Sequence, residues 1–146
     1  MVGGVVLLLI LGWAGQAQAQ IGVGTWVRTD LKAQGMTMTV EKCCNGGLRL
    51  TYHIAMGNQP PTTMTVDSPM DGTEVPVFVG GKPSGETMSI KRVDDHHIST
   101  VMTMNGKPFG TSNATLSADG KTMTVESVTQ MSGAKSEKVT ETWVKK

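Results

Sequence analysis

Four sets of residues in this sequence are of types that do chemistry: methionines at alternate positions, adjacent cysteines, adjacent histidines, and two charges set into apolar stretches. The chain holds 11 methionines, including the pairs Met36/Met38 and Met102/Met104. The flexible thioether fills irregular gaps in cores and adapts to apolar ligands. Thioether, thiolate and imidazole also suit soft metals such as Cu(I). A periplasmic copper site drawing on Cys43, Cys44, His96 and His97 is therefore an alternative reading. The spacing speaks against it, because these residues fall on different strands and turns. His96 and His97 follow Asp94-Asp95 at an expected turn, and adjacent residues on a strand face opposite ways. Cys43 and Cys44 have neighbouring Cα atoms, about 3.8 Å apart, closer than ordinary disulfides span. A bond between them is local and cannot staple distant parts of the fold. C-C is also not the C-x-x-C spacing of thiol oxidoreductases. No metal and no cofactor is expected.

The two charges are Arg92, which continues the face of Met88 and Ile90, and Glu141, which lies between Val139 and Trp143. A charge on an inward face is costly unless it is paired. An Arg92–Glu141 pair would meet that need. Alternatively, the Arg92 guanidinium would take the carboxylate of an amphipathic ligand bidentately. The candidate ligand contacts are Arg92, Glu141, Tyr52, Met88, Ile90, Met102, Met104 and Trp143. Trp26 is expected to be structural. There is no G-x-S-x-G, no H-E-x-x-H and no Gly-rich phosphate loop, so an enzyme is not expected.

These residues must be positioned by strands, because the apolar period is close to two almost throughout. Residues 36–41 and 48–54 alternate apolar and polar, as a half-buried strand requires. The same pattern fits 64–66, 75–79, 88–90, 98–104, 123–125 and 139–143, with a first strand at Trp26. Threonine is abundant and its β-branch suits strands. Asn45-Gly46, Asp71-Gly72, Gly80-Gly81, Asn105-Gly106, Asp119-Gly120 and Ser132-Gly133 supply turn chemistry between them. One helical turn is allowed at 29–34. The expectation is an all-β domain of about eight to ten strands. An antiparallel up-and-down barrel removes exposed sheet edges and is preferred to the alternative, a two-sheet β-sandwich.

Residues 1–19 read as a signal peptide. Val5 to Leu11 is an unbroken apolar run, followed by Ala17-Gln18-Ala19, a small-x-small cleavage pattern. No Lys or Arg follows Met1. The run is too short to span a bilayer, which takes about 20 apolar residues. Residues 20–146 would form a single domain, with a formal net charge of +1. No basic run interleaves with aromatics, which argues against a nucleic-acid partner.

Gly24-Thr25-Trp26 at the first strand resembles the G-x-W opening of the calycins, the lipocalins and fatty-acid-binding proteins. The stretches 71–77, 89–95 and 116–125 are similar to segments of small secreted bacterial proteins described as lipocalin-like and of unknown role. The resemblance implies a calycin-type barrel plugged at one end by Trp26. The segment between the first two strands is too short for the helical lid of fatty-acid-binding proteins. The resulting expectation is an exported, periplasmic or secreted binding module for a small apolar or amphipathic molecule. The rival expectation is a packed structural or interaction barrel without a ligand.

Overall fold

The computed structural model describes residues 21–31, 35–55, 57–131 and 133–146. The expected signal peptide lies outside these residues, as do residues 32–34 of the expected helical turn. The chain forms ten strands: β1 (Gly24–Arg28), β2 (Gly35–Cys43), β3 (Gly47–Ala55), β4 (Thr62–Ser68), β5 (Asp71–Val79), β6 (Lys82–Arg92), β7 (His97–Met104), β8 (Lys107–Leu116), β9 (Thr122–Thr129) and β10 (Glu137–Lys145). Each strand pairs antiparallel with the next, and β1 pairs with β10, so the sheet closes into a barrel. The described residues include no helix. The fold is thus the all-β, up-and-down barrel that the alternation implies.

One end of the barrel is solid. Trp26, Val40, Val66 and Val77 are fully buried, with Leu48, Leu50, Ile90, Ile98 and Leu116 around them. Ile21, just ahead of β1, joins this cluster and closes the end. The indole Nε1 of Trp26 donates to the Gly22 carbonyl at 3.1 Å, so the buried ring leaves no polar atom unpaired. Ser68 is the buried polar residue here, and its Oγ accepts from the Met70 amide at 3.0 Å.

β5 departs from regular pairing. Its register with β6 shifts between Asp71 and Glu74 and again between Pro76 and Phe78. Pro76 cannot donate to a ladder and is tolerated at such an irregularity. Ser84 compensates there: its hydroxyl donates to the Val77 carbonyl at 2.7 Å and accepts from the Glu86 amide at 3.1 Å.

β8 is the strand that the alternation does not announce. Its inward residues are Gly110, Ser112, Ala114 and Leu116, as their register with β9 and β7 requires. Small and hydroxylated side chains alternate with polar ones, so the hydrophobic signal is weak. Pro108 and Gly110 weaken it further.

The solid end makes one backbone approach too close for a side chain. A Cβ on Gly47 would collide with the Ser68 carbonyl oxygen and lie 2.8 Å from the Pro69 Cα. Backbone cannot swing aside as a flexible side chain can. Gly47→Ala is expected to cost at least about 2 kcal/mol, lowering Tm by about 5 °C or more. At Gly35 a Cβ meets open space. Gly35→Ala should leave Tm unchanged or slightly raised, and thermal melts of the two variants check both expectations.

Candidate functional site

Beyond the Trp26 layer the barrel is not filled. A cavity of about 290 Å³ opens toward the end opposite Ile21. This lies at the lower edge of small-molecule pockets, which span roughly 300–1,000 Å³. The reason is local: moving outward along each strand, the inward side chains change from valine and leucine to methionine, hydroxyl and charge. Met36, Met38, Met64, Met88, Met102 and Met123 all line the space. So do Tyr52, Ile90, Glu141 and Trp143 from the set of expected ligand contacts. Met104 pairs with Glu86 in the β6–β7 register, which puts it at the rim of the same face.

Apolar side chains line the cavity on both sides, Met88, Met102 and Met123 among them on β6 to β9, but the hydroxyls and carboxylates fall on one side. β2, β3 and β4 contribute Met36, Met38, Leu50, Tyr52, Ile54 and Met64, an apolar surface apart from one phenol. Across from it, Thr100 on β7 is paired with Ser112 on β8, and Ser112 with Ser127 on β9. Side chains directly opposite on one face lie within about 5 Å of each other. The three residues therefore form a row of hydroxyls across three neighbouring strands, all lining the cavity.

A charged cluster continues this polar wall. Closure of the barrel puts Arg28 opposite Trp143. The Arg28 Nε and Nη2 donate to the two oxygens of Asp30, each at 3.0 Å. Its Nη1 lies 3.4 Å from Oε1 of Glu141 and 4.0 Å from the Met36 sulfur. The other Glu141 oxygen accepts from the Trp143 indole at 2.9 Å. The Arg28 side chain is 10% exposed and that of Glu141 24%, so this pair is shielded enough to matter but not sealed from water. The hydrogen bond to Asp30 raises the Arg28 pKa further, and the same contact lowers that of Asp30. Tyr52 meets Trp143 edge to face, with ring centroids 6.0 Å apart. Burial, and then the charge of Glu141, push the Tyr52 phenol up to about 12.

Glu86 stands apart. It lines the cavity near the mouth, and no cation lies within ion-pairing distance among the described residues. Burial alone raises its pKa.

The expected Arg92–Glu141 pair does not form. Arg92 is the last residue of β6 and lies at the solid end, where its Nη2 meets Asp95 at 2.6 Å. It lines a separate recess of about 30 Å³ with Asp94, Asp95 and Leu116, not the large cavity. Glu141 is partnered by Arg28 instead, a residue whose position two after Trp26 already placed it on the inward face.

The cysteines and histidines are also kept apart. Cys43 and Cys44 are joined in a disulfide at the β2–β3 turn. The carboxylate of Asp67 lies near them, but Arg49 holds both its oxygens, at 2.7 and 2.8 Å. His96 and His97 sit at the β6–β7 turn. The His97 Nδ1 is within 2.8 and 2.9 Å of the two Asp94 oxygens, while the His96 Nδ1 is buried without a partner. No described cluster gathers both cysteines and both histidines.

Tyr52 is the single tyrosine of the chain, so ultraviolet titration reports it alone. The native protein should show one phenolate transition near 12, against the ordinary value of 10. Glu141→Gln should lower it by removing the nearby charge. The folded state holds this proton more tightly than the unfolded chain, so stability falls as pH rises from about 10 to about 12. A native transition at the ordinary value would contradict the placement of Tyr52. For Glu86 the raised value means that ionisation costs the folded state. Glu86→Gln should raise Tm at pH 7 and give no gain near pH 3, where the carboxyl is protonated in both states; paired melts at the two pH values measure this.

No protein-family model matches the chain, and no curated protein matches it by sequence. Among solved structures it is similar to a mutant of the fluorescent protein UnaG, with a TM-score of 0.58. That alignment covers 86% of this chain and 96% of the other, at 13% sequence identity. At such identity the likeness is one of fold alone.

Proposed function

We propose that this protein is an exported binding module that takes a small apolar or amphipathic molecule into the open end of its barrel. The observation that carries the proposal is the partly open cavity of about 290 Å³, lined by six methionines and by a few hydroxyls and carboxylates. Binding sites are typically concave and mostly apolar, with a few convergent polar groups that set orientation. Methionine suits such a wall because its unbranched thioether adjusts to the shape of the guest. A packed barrel acting through its loops would have no need of this space, so the cavity favours a ligand over that rival reading.

Binding without catalysis is the role proposed. The export part rests on the apolar run Val5 to Leu11 and on Ala17-Gln18-Ala19. The Cys43–Cys44 disulfide fits an oxidising compartment such as the periplasm or the cell exterior.

Ser112 lines the cavity from the middle of the hydroxyl row. Ser112→Phe would project a ring into the space without touching the solid end. Native mass spectrometry of protein recovered from its own host should show a bound small molecule on the parent chain. The Ser112→Phe variant, purified alongside, should carry less than about a tenth as much, a loss of roughly 1.4 kcal/mol or more in binding. Equal loading of the two, or repeated recovery of both without any guest, would count against a ligand in the barrel.

A further inference from the structure

We propose that the molecule selected by this cavity is an amphipathic amine: an apolar body carrying a protonated nitrogen. The inference rests on the binding role above and names its ligand class.

Charge and unused hydrogen-bonding capacity select this class of ligand. Two carboxylates, Glu86 and Glu141, line the cavity, and the guanidinium that meets Glu141, Arg28, is also held by Asp30. The two donors on one edge of Arg28 are both spent on Asp30. Its remaining group already faces Glu141. A carboxylate ligand would have to displace one of these anions and then sit beside it. The other N–H donor of the wall, the Trp143 indole, is committed to Glu141.

The acceptors are in the opposite state. Glu86 has no cationic partner among the described residues. Each Glu141 oxygen has one contact and capacity for another. The hydroxyls of Thr100, Ser112 and Ser127 form a row that runs from Ile90 on β6 to Val139 on β10; Glu141 is the next inward residue after Val139, and Glu86 lies two inward positions from Ile90. An ammonium group offers three donors and no acceptor, which complements the two carboxylates; the hydroxyls, which donate as well as accept, turn their acceptor oxygens toward it. The Tyr52 and Trp143 rings lie beside the same cluster and present faces that attract a cation. Methionines on both sides of the cavity accommodate the apolar body.

The test uses three probes of equal chain length: octylamine, octan-1-ol and octanoate, titrated calorimetrically at pH 7 and low salt. Octylamine should bind tightest and octanoate weakest. The amine should exceed the carboxylate by at least about tenfold, as one charge-assisted contact supplies. Glu86→Gln and Glu141→Gln should each reduce the ratio of amine to alcohol affinity, and the double variant should bring it close to one. Near-UV circular dichroism checks that each variant is folded. If Glu141→Gln fails to fold, Glu86→Gln alone decides, because that carboxylate has no partner to lose. Octanoate binding as tightly as octylamine overturns the proposal, as does a ratio unmoved by the variants. Octanol binding with no amine preference overturns this inference and leaves the binding role standing, whereas failure of all three probes overturns both.

Discussion

Trp26 opposite Lys145, Val27 opposite Val144 and Arg28 opposite Trp143 join the first strand to the last. That pairing turns a ten-strand meander into a barrel, and no covalent link shares the work. The disulfide joins neighbouring residues, so it closes no long loop. Closure satisfies the backbone groups of two strands that would otherwise be edges. It also builds the site, because Arg28 reaches Glu141 and Trp143 across that seam. The Thr29 amide donates to the Thr142 carbonyl at 2.8 Å, and Asp30 accepts from the Thr142 amide at 3.1 Å. The anion that holds Arg28 is therefore itself tied to the last strand.

The barrel divides its length between stability and capacity. At one end, tryptophan, valine and leucine pack closely, as the contact between Gly47 and the Ser68–Pro69 backbone illustrates. At the other, methionines and hydroxyls surround a space. Close packing rewards apolar side chains by contact and by removal from water. A cavity wall gives up part of that reward. It then carries Glu86 near its mouth, whose ionisation costs further stability while no cation offsets it. A guest of the proposed shape and charge would recover both costs, since binding to the native state alone stabilises it.

The polar wall is a consequence of register. Thr100, Ser112 and Ser127 lie on three different strands and are separated in sequence, yet they align because each hairpin places them opposite one another. The charged cluster arises similarly, from hairpin register on one side and barrel closure on the other. Neither group is a motif in the chain. Each is a product of antiparallel pairing carried through several strands.

What the sequence by itself determined was which way side chains face. Alternation in 36–41, 48–54 and 98–104, with Gly-containing turns between, was enough to read an all-β chain and to turn Tyr52, Met88, Met102, Glu141 and Trp143 inward. It was silent on β8, whose inner face carries Gly110, Ser112 and Ala114, because a strand lining a cavity need not be apolar. Tertiary structure alone decided height along the barrel. Arg92 and Glu141 both face inward, but β6 and β10 are not neighbours. Arg92 ends its strand at the solid end, whereas Glu141 lies midway along β10 within the cavity. A period of two assigns each residue to a face and says nothing of the stagger between strands. That stagger gave Glu141 to Arg28 and left Arg92 to Asp95.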